Sequence, residues 1–146
     1  MHIVRIVLTV ILLSFNSYAD LLKESHEEYL KSNYQKCVSL LNQSCNDNNA
    51  IACSNLAILY YQGINISRNI ILTKKYNSLG CNLNNYQSCA NLARIKLEID
   101  FSNESILESR KLFDKACIGG YKSACIDKKI LDEDYIAGFN IDEKSR

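Results

Sequence analysis

The chain has 146 residues with 17 basic and 16 acidic side chains, a formal net charge of +1, and 47% hydrophobic against 23% charged residues. That balance excludes the clustered basic excess that nucleic-acid binding needs, and equally a polybasic membrane patch. Proline is absent and glycine is limited to 5, so breakers are few and helix is favoured over a many-turned β architecture.

Residues 1–19 read "MHIVRIVLTVILLSFNSYA". Arg5 precedes an apolar run from Ile6 to Phe15, interrupted only by Thr9 and Ser14, and small residues stand at Ser17 and Ala19. This is the layout of a cleavable secretory signal with the cut after Ala19. Spanning a bilayer takes about 20 apolar residues, and this run is roughly half that. No membrane span is therefore expected after cleavage. No cysteine stands at the cut, so no lipid anchor is expected either. The location predicted is secreted or periplasmic.

From Asp20 to Cys45 the sequence "DLLKESHEEYLKSNYQKCVSLLNQSC" reads as an irregular helix pair, expected to cap the N-terminal side (20–45). It contains His26, set among charged residues on a solvated face, and Cys37. A repeat array is expected over 46–134. "SNLAILYYQ" places Leu56, Ala57, Leu59, Tyr60 and Tyr61 at helical spacing, with the three tyrosines Tyr60, Tyr61 and Tyr76 expected to pack between helices. Gly63 is a C-cap candidate and Ser67 an N-cap candidate for the second helix, "RNIILTKKYNSLGC". The next unit repeats the scheme with "ANLARIKLEID", a connector around Phe101, a cap at Ser102 or Asn103, and "ESILESRKLFDKAC". A third unit restarts at "ACIDKKILDEDYIAGFNIDEKSR"; "GFNIDE" at Gly138 echoes the connector "GINISR" at Gly63, so 135–146 is expected to be a truncated repeat end and a loose tail.

The cysteines set the period. Cys45 and Cys53, Cys81 and Cys89, Cys117 and Cys125 form three pairs, each displaced 36 residues from the last. Such a period marks stacked repeats, here αα-hairpins that cannot bury their apolar stripes alone. In a single helix two residues eight apart lie about 12 Å from each other, whereas a disulfide needs Cα atoms within roughly 4.4–6.8 Å. A bridge therefore demands a turn, and "NDNN", "NLNN" and "IGG" supply turn residues between the partners. Each bridge should staple the end of one hairpin to the start of the next. Closing so short a loop stabilises by about 2.5 kcal/mol in the chain-entropy model. Export makes the pairing feasible, since thiols oxidise outside the cytosol. Cys37 lies eight residues before Cys45 with no turn between, so it is left unpaired: a solitary thiol, or alternatively a reactive thiol or an intermolecular bridge. Its equivalents Thr73 and Ser109 suggest a partly exposed position. A monomer is expected, with a Cys37-linked dimer as the alternative.

"ACSNLAILYYQGINISRNIILTKKYNSLGC" resembles a Sel1-like repeat, and the spacing of its corner cysteines is similar to that of the cysteine-rich subgroup, the Helicobacter cysteine-rich protein family. The resemblance runs from about Tyr34 to Asp142; it weakens in the second unit, where Ile99 stands at the place of Gly63. It implies an all-α fold, an α/α solenoid of TPR-related hairpins stapled by disulfides. It also implies export, a protein- or glycan-binding role and, as the alternative, penicillin binding with β-lactamase activity.

The residues themselves speak for binding. No serine has a lysine three positions later, as serine β-lactamases require. After cleavage His26 is the sole histidine, so no zinc site is expected, and no cofactor. Asn55, Asn91 and Asp127 share one position in successive first helices, followed one turn later by Ile58, Arg94 and Ile130. Asn55, Asn91, Arg94 and Asp127 form the candidate binding face, on the concave side of a solenoid. The reading is an exported adaptor for a protein or peptidoglycan-type ligand.

Overall fold

The computed structural model describes residues 20–144, and the leader over 1–19 lies outside them. The regular elements described are all helices: α1 (20–30), α2 (Tyr34–Asn46), α3 (Ala50–Gln62), α4 (Ile70–Asn82), α5 (Tyr86–Ile99), α6 (Asn103–Ile118) and α7 (Lys122–Lys144). The chain divides into two compact units between Tyr76 and Asn77, within α4.

Three disulfides join consecutive helices. Cys45–Cys53 links α2 to α3, Cys81–Cys89 links α4 to α5, and Cys117–Cys125 links α6 to α7, with Cα separations of 4.8, 4.6 and 4.8 Å. The backbone at all three corners is the same. Asn48, Asn84 and Gly120 take the left-handed conformation, with φ of 66°, 63° and 93°. The amides of Asn48 and Asn49 donate to the carbonyls of Cys45 and Ser44, and the pattern recurs at Asn84 and Asn85 and at Gly120 and Tyr121. This satisfies the orphan carbonyls at the end of one helix in a Schellman motif. The next residue opens the following helix. The Asn49 side chain accepts from the amides of Ile51 and Ala52 at 3.0 and 3.2 Å, and Asn85 accepts from Ser88 at 2.9 Å. Asparagine serves both needs, tolerating positive φ in one position and capping in the next. That is why the corners are asparagine-rich.

Within the hairpins the connectors differ. Gly63 ends α3 at φ 67°, and a Cβ there would stand 2.7 Å from that of Arg68. In the second repeat Ile99 holds the equivalent place; a β-branched residue resists positive φ, and Asp100 leaves α5 in extended backbone at φ −147°. The Asp100 carboxylate then accepts from the Ser102 amide and the hydroxyls of Ser102 and Ser105, the Ser102 hydroxyl bond foremost in holding it below the usual carboxylate range. Ser102 caps α6, accepting from the Ser105 amide. Two expectations are corrected. Ser67 does not cap α4: the helix begins at Ile70, and Asn69 accepts from the Leu72 amide at 3.0 Å. No connector forms at Gly138 either, because α7 is helical through to Lys144. Glycine weakens a helix interior by about 1 kcal/mol but does not end it.

The second unit closes on a core of Cys81, Cys89, Ala90, Ala93, Ile106, Phe113, Ala116, Ala124 and Leu131. Its alanines let the helix backbones approach, and Phe113 fills the space between them. In the first unit Leu41, Ala52, Cys53, Leu56 and Ala57 are buried, and Tyr76 stacks on Tyr60 with ring centroids 5.8 Å apart. The half-cystines Cys45, Cys53, Cys81 and Cys89 are themselves core residues, so each of these bridges links two helices inside the packing rather than on the surface.

Replacing Gly63 by alanine combines positive φ with the Arg68 contact. It should cost about 1–2 kcal/mol. Asn85→Ala removes a cap and should cost about 1 kcal/mol. Thermal unfolding followed by circular dichroism checks both, and an unchanged midpoint in either variant contradicts the assigned backbone roles.

Candidate functional site

In the first unit α1, α2 and α3 surround an open groove of about 430 Å³. Leu22 and Tyr29 of α1 form one wall, Ile58 and Leu59 of α3 the other, and Leu41 of α2 the floor. Asn55 and Gln62 stand at its exposed rim, and so does His26. The hairpin of α1 and α2 is fixed by Glu28, nearly buried, which receives hydrogen bonds from Lys31 at 3.2 Å and Asn33 at 2.8 Å and pairs with Lys36 at 3.5 Å. The Lys31 hydrogen bond is foremost in holding its carboxyl below the ordinary range.

Cys37 also lines this groove and is a free thiol, but only 3% of it is exposed. The partly exposed position expected for it is corrected. Its register neighbours Thr73 and Ser109 are fully buried too, and each hydroxyl is satisfied by a backbone carbonyl, Asn69 and Ala93 respectively. The position selects a small side chain because another helix packs over it. Burial, reinforced by the charge of Glu28, pushes the Cys37 thiol up. A nucleophilic cysteine needs the opposite shift. A bridge to a second copy would require this sulfur to leave the packing.

In the second unit a smaller groove of about 280 Å³ lies between α5, α6 and α7. Phe113 is its floor, Leu97, Phe101, Ile130 and Leu131 its walls, and Arg94 and Asp127 its polar edge. Three residues expected on one face meet here. The Arg94 guanidinium donates to Asn91 Oδ1 at 2.9 Å and forms an ion pair with Asp127. It also donates to Ser123 Oγ at 2.9 Å, a partner that the sequence did not suggest. Asn55 belongs to the first unit and lies at the rim of that groove. Tyr61 corrects another expectation: it is 41% exposed, with the Arg68 guanidinium 5.2 Å from its ring centroid, rather than packed between helices. Tyr76 is buried as expected, and its hydroxyl donates to Asn42 Oδ1 at 3.1 Å.

Among the described residues no cluster of histidine, cysteine, aspartate or glutamate could hold a metal ion, and no helix is long and apolar enough to cross a membrane. No family model and no curated protein matches the sequence. Solved structures do. The fold is similar to that of cysteine rich protein B from Helicobacter pylori at a TM-score of 0.60 and 21% identity, over 77% of this chain and 90% of that one. It is also similar to a Sel1 repeat protein from Oxalobacter formigenes at a TM-score of 0.68 and 14% identity, over 83% of this chain and 97% of that one. The chain has the Sel1-like, cysteine-rich repeat fold.

In this chain the fold is marked by corner cysteines, left-handed residues, caps and small core side chains. The surfaces between those positions are free to vary.

The shielding of Cys37 is directly measurable. Iodoacetamide should leave it unmodified in the native oxidised protein and alkylate it on unfolding. Since the folded thiol is raised above its unfolded value near 8.5, ionisation favours the unfolded chain. The stability is complete below that value and is lost as pH rises towards the folded one. Cys37→Thr, with a hydroxyl able to reach the Asn33 carbonyl as Thr73 reaches Asn69, should keep the fold and abolish this alkaline loss. Rapid native alkylation contradicts the buried position.

Proposed function

We propose that the chain is an exported adaptor that holds a partner protein through its helix-hairpin grooves. Solenoid repeats are a fold used for interaction, because stacked hairpins present extended surfaces. The observation that carries the reading is the pair of open grooves with apolar floors and a few polar groups at the edge, which is the chemistry of a recognition surface. The Cys37 thiol beside the first groove is pushed up by burial, and no serine in the chain has a lysine three positions later. Asn55, Asn91, Arg94 and Asp127 are the polar contacts of this surface in the proposal.

Export rests on the leader over 1–19 and on the disulfides, which persist in oxidising compartments. In this reading residues 20–45 serve as the N-terminal cap of the repeats, and the mature protein works in the periplasm or beyond it.

Two measurements test the reading. Expressed with its leader in a bacterium, the protein should be recovered outside the cytoplasm with Asp20 as its first residue by intact mass; an uncleaved leader in the membrane pellet contradicts export. Immobilised oxidised protein should retain a defined protein from envelope extract, and Arg94→Ala or Asn55→Ala should weaken that retention. Retention of muropeptides alone, or turnover of nitrocefin, would replace the adaptor reading with a cell-wall or hydrolase one.

A further inference from the structure

The three bridges are chemically alike but not equally shielded. Cys45, Cys53, Cys81 and Cys89 are at most 4% exposed, whereas Cys117 and Cys125 are both only half-buried. The register explains the difference. Ser54 and Ala90 are buried, but their counterpart in α7, Ile126, is 62% exposed. Ala57 and Ala93 are buried as well, and their counterpart Lys129 is exposed. α5 shares a core with both α6 and α7, while α7 packs on one flank and leaves its bridge within reach of solvent. Exchange requires an attacking thiolate to reach a sulfur, so access governs its rate. A buried bridge becomes accessible only when the surrounding structure opens locally.

Little else fastens α7. Ala124 and Leu131 are its residues in the core. Its ion pairs, Asp127 with Arg94, Lys128 with Asp114 and Asp132 with Arg110, are partly exposed, where such pairs add little. Its corner is also the loosest of the three. Gly119 and Gly120 lead into it, and glycine has the most conformational freedom to lose. Tyr121 stands at the register of Asn49 and Asn85, whose side chains cap α3 and α5, and tyrosine is not a capping residue. The bridge therefore carries a larger share of the attachment here than at the other corners. What it attaches is one wall of the second groove. α7 supplies Asp127, Ile130 and Leu131 to that groove and shares a core with its floor, Phe113. Ser123 and Asp127 also hold the Arg94 guanidinium.

We infer that Cys117–Cys125 is a thiol-exchange site, opened by an external dithiol while the other two bridges stay closed, and that its opening releases α7 and dismantles the second groove. The dithiol attacks as a thiolate at Cys117 Sγ; a sulfur–sulfur bond forms there and the Cys117–Cys125 bond breaks. Cys125 leaves with the electron pair and takes up a proton. It is the better leaving group because it lies in the first turn of α7, where the helix amides favour negative charge, whereas Cys117 ends α6. The second thiol of the dithiol then displaces Cys117 as a thiolate, which is protonated in turn. The protein bridge gains two electrons and the dithiol, oxidised to a disulfide, loses them. The exchange site stands apart from the adaptor reading; its effect on a bound partner rests on that reading.

The test treats the native oxidised protein with limiting dithiothreitol, quenches with acid, labels with N-ethylmaleimide under denaturing conditions and maps the labels by mass spectrometry. The first species formed should carry labels on Cys117 and Cys125, with Cys45–Cys53 and Cys81–Cys89 intact. The third bridge should open at least about tenfold faster than the others, since theirs wait on local opening. Thioredoxin with its reductase is a second arm: cleavage by both reagents admits a protein dithiol to the site, and cleavage by dithiothreitol alone restricts it to small thiols. Amide hydrogen exchange of the singly opened species should lose protection in α7 and around Phe113 while α2 and α3 keep theirs. A Cys117→Ser, Cys125→Ser double variant should reproduce that pattern, and the wild-type measurement decides should the variant not fold. Simultaneous loss of all three bridges, or a buried bridge opening first, would overturn the exchange site. Unchanged protection in α7 after the third bridge opens would overturn the release. Opening should also abolish the Arg94-dependent retention of a protein partner and spare the Asn55-dependent part. Failure of the adaptor reading shows differently, as no protein retained by the fully oxidised chain, with the order of reduction untouched.

Discussion

A disulfide between residues eight apart cannot form along a helix, and everything else in this chain is arranged around that constraint. The bond forces a reversal of direction within three residues. The reversal needs one residue at positive φ and, directly after it, one that can open a helix. Asn48 with Asn49 and Asn84 with Asn85 meet both needs; Gly120 with Tyr121 meets the first. At the first two corners the sulfurs lie inside the packing and serve as core side chains, and at the third they are half-buried. A corner built this way is short, stiff and insensitive to the residues outside it.

Rigid corners have a consequence for the surface. Because each helix leaves its corner at a fixed phase, the residues at a given register face the same surroundings in every repeat. Cys37, Thr73 and Ser109 are all small and buried, and each residue lining the second groove has a counterpart 72 positions earlier in the lining of the first. The frame decides where a cavity opens. Substitution at a few register positions, asparagine in one repeat and an arginine–aspartate pair in another, then adjusts the polar edge without disturbing the helices. The fold is shared with solved structures at 14–21% identity.

Much of the fold was legible in the sequence because the period and the cysteine spacing are geometric statements. The hairpins, the corners and the C-cap at Gly63 follow from them. What was not legible depended on competition between similar signals. Ser67 and Asn69 are both good caps, and only the start of α4 at Ile70 decides between them. Thr73 and Ser109 look like surface residues, yet their hydroxyls bond to backbone carbonyls and so tolerate burial, which concealed the burial of Cys37. Gly138 read as a helix end by its echo of Gly63, but α7 continues through it to Lys144. Of the candidate site, Asn91, Arg94 and Asp127 were named as sharing a face and do meet. The grooves themselves were not legible: Ile58 and Ile130 were placed one turn from the polar face, but nothing in a periodic pattern says that the buried Leu41 and Phe113 lie beneath an opening.

The most direct test of the stapled corners is proteolytic mapping of the non-reduced protein by mass spectrometry. The account predicts three linked peptide pairs, Cys45 with Cys53, Cys81 with Cys89 and Cys117 with Cys125, with Cys37 recovered as a thiol. Any bridge that crosses from one corner to another, or that includes Cys37, would contradict it.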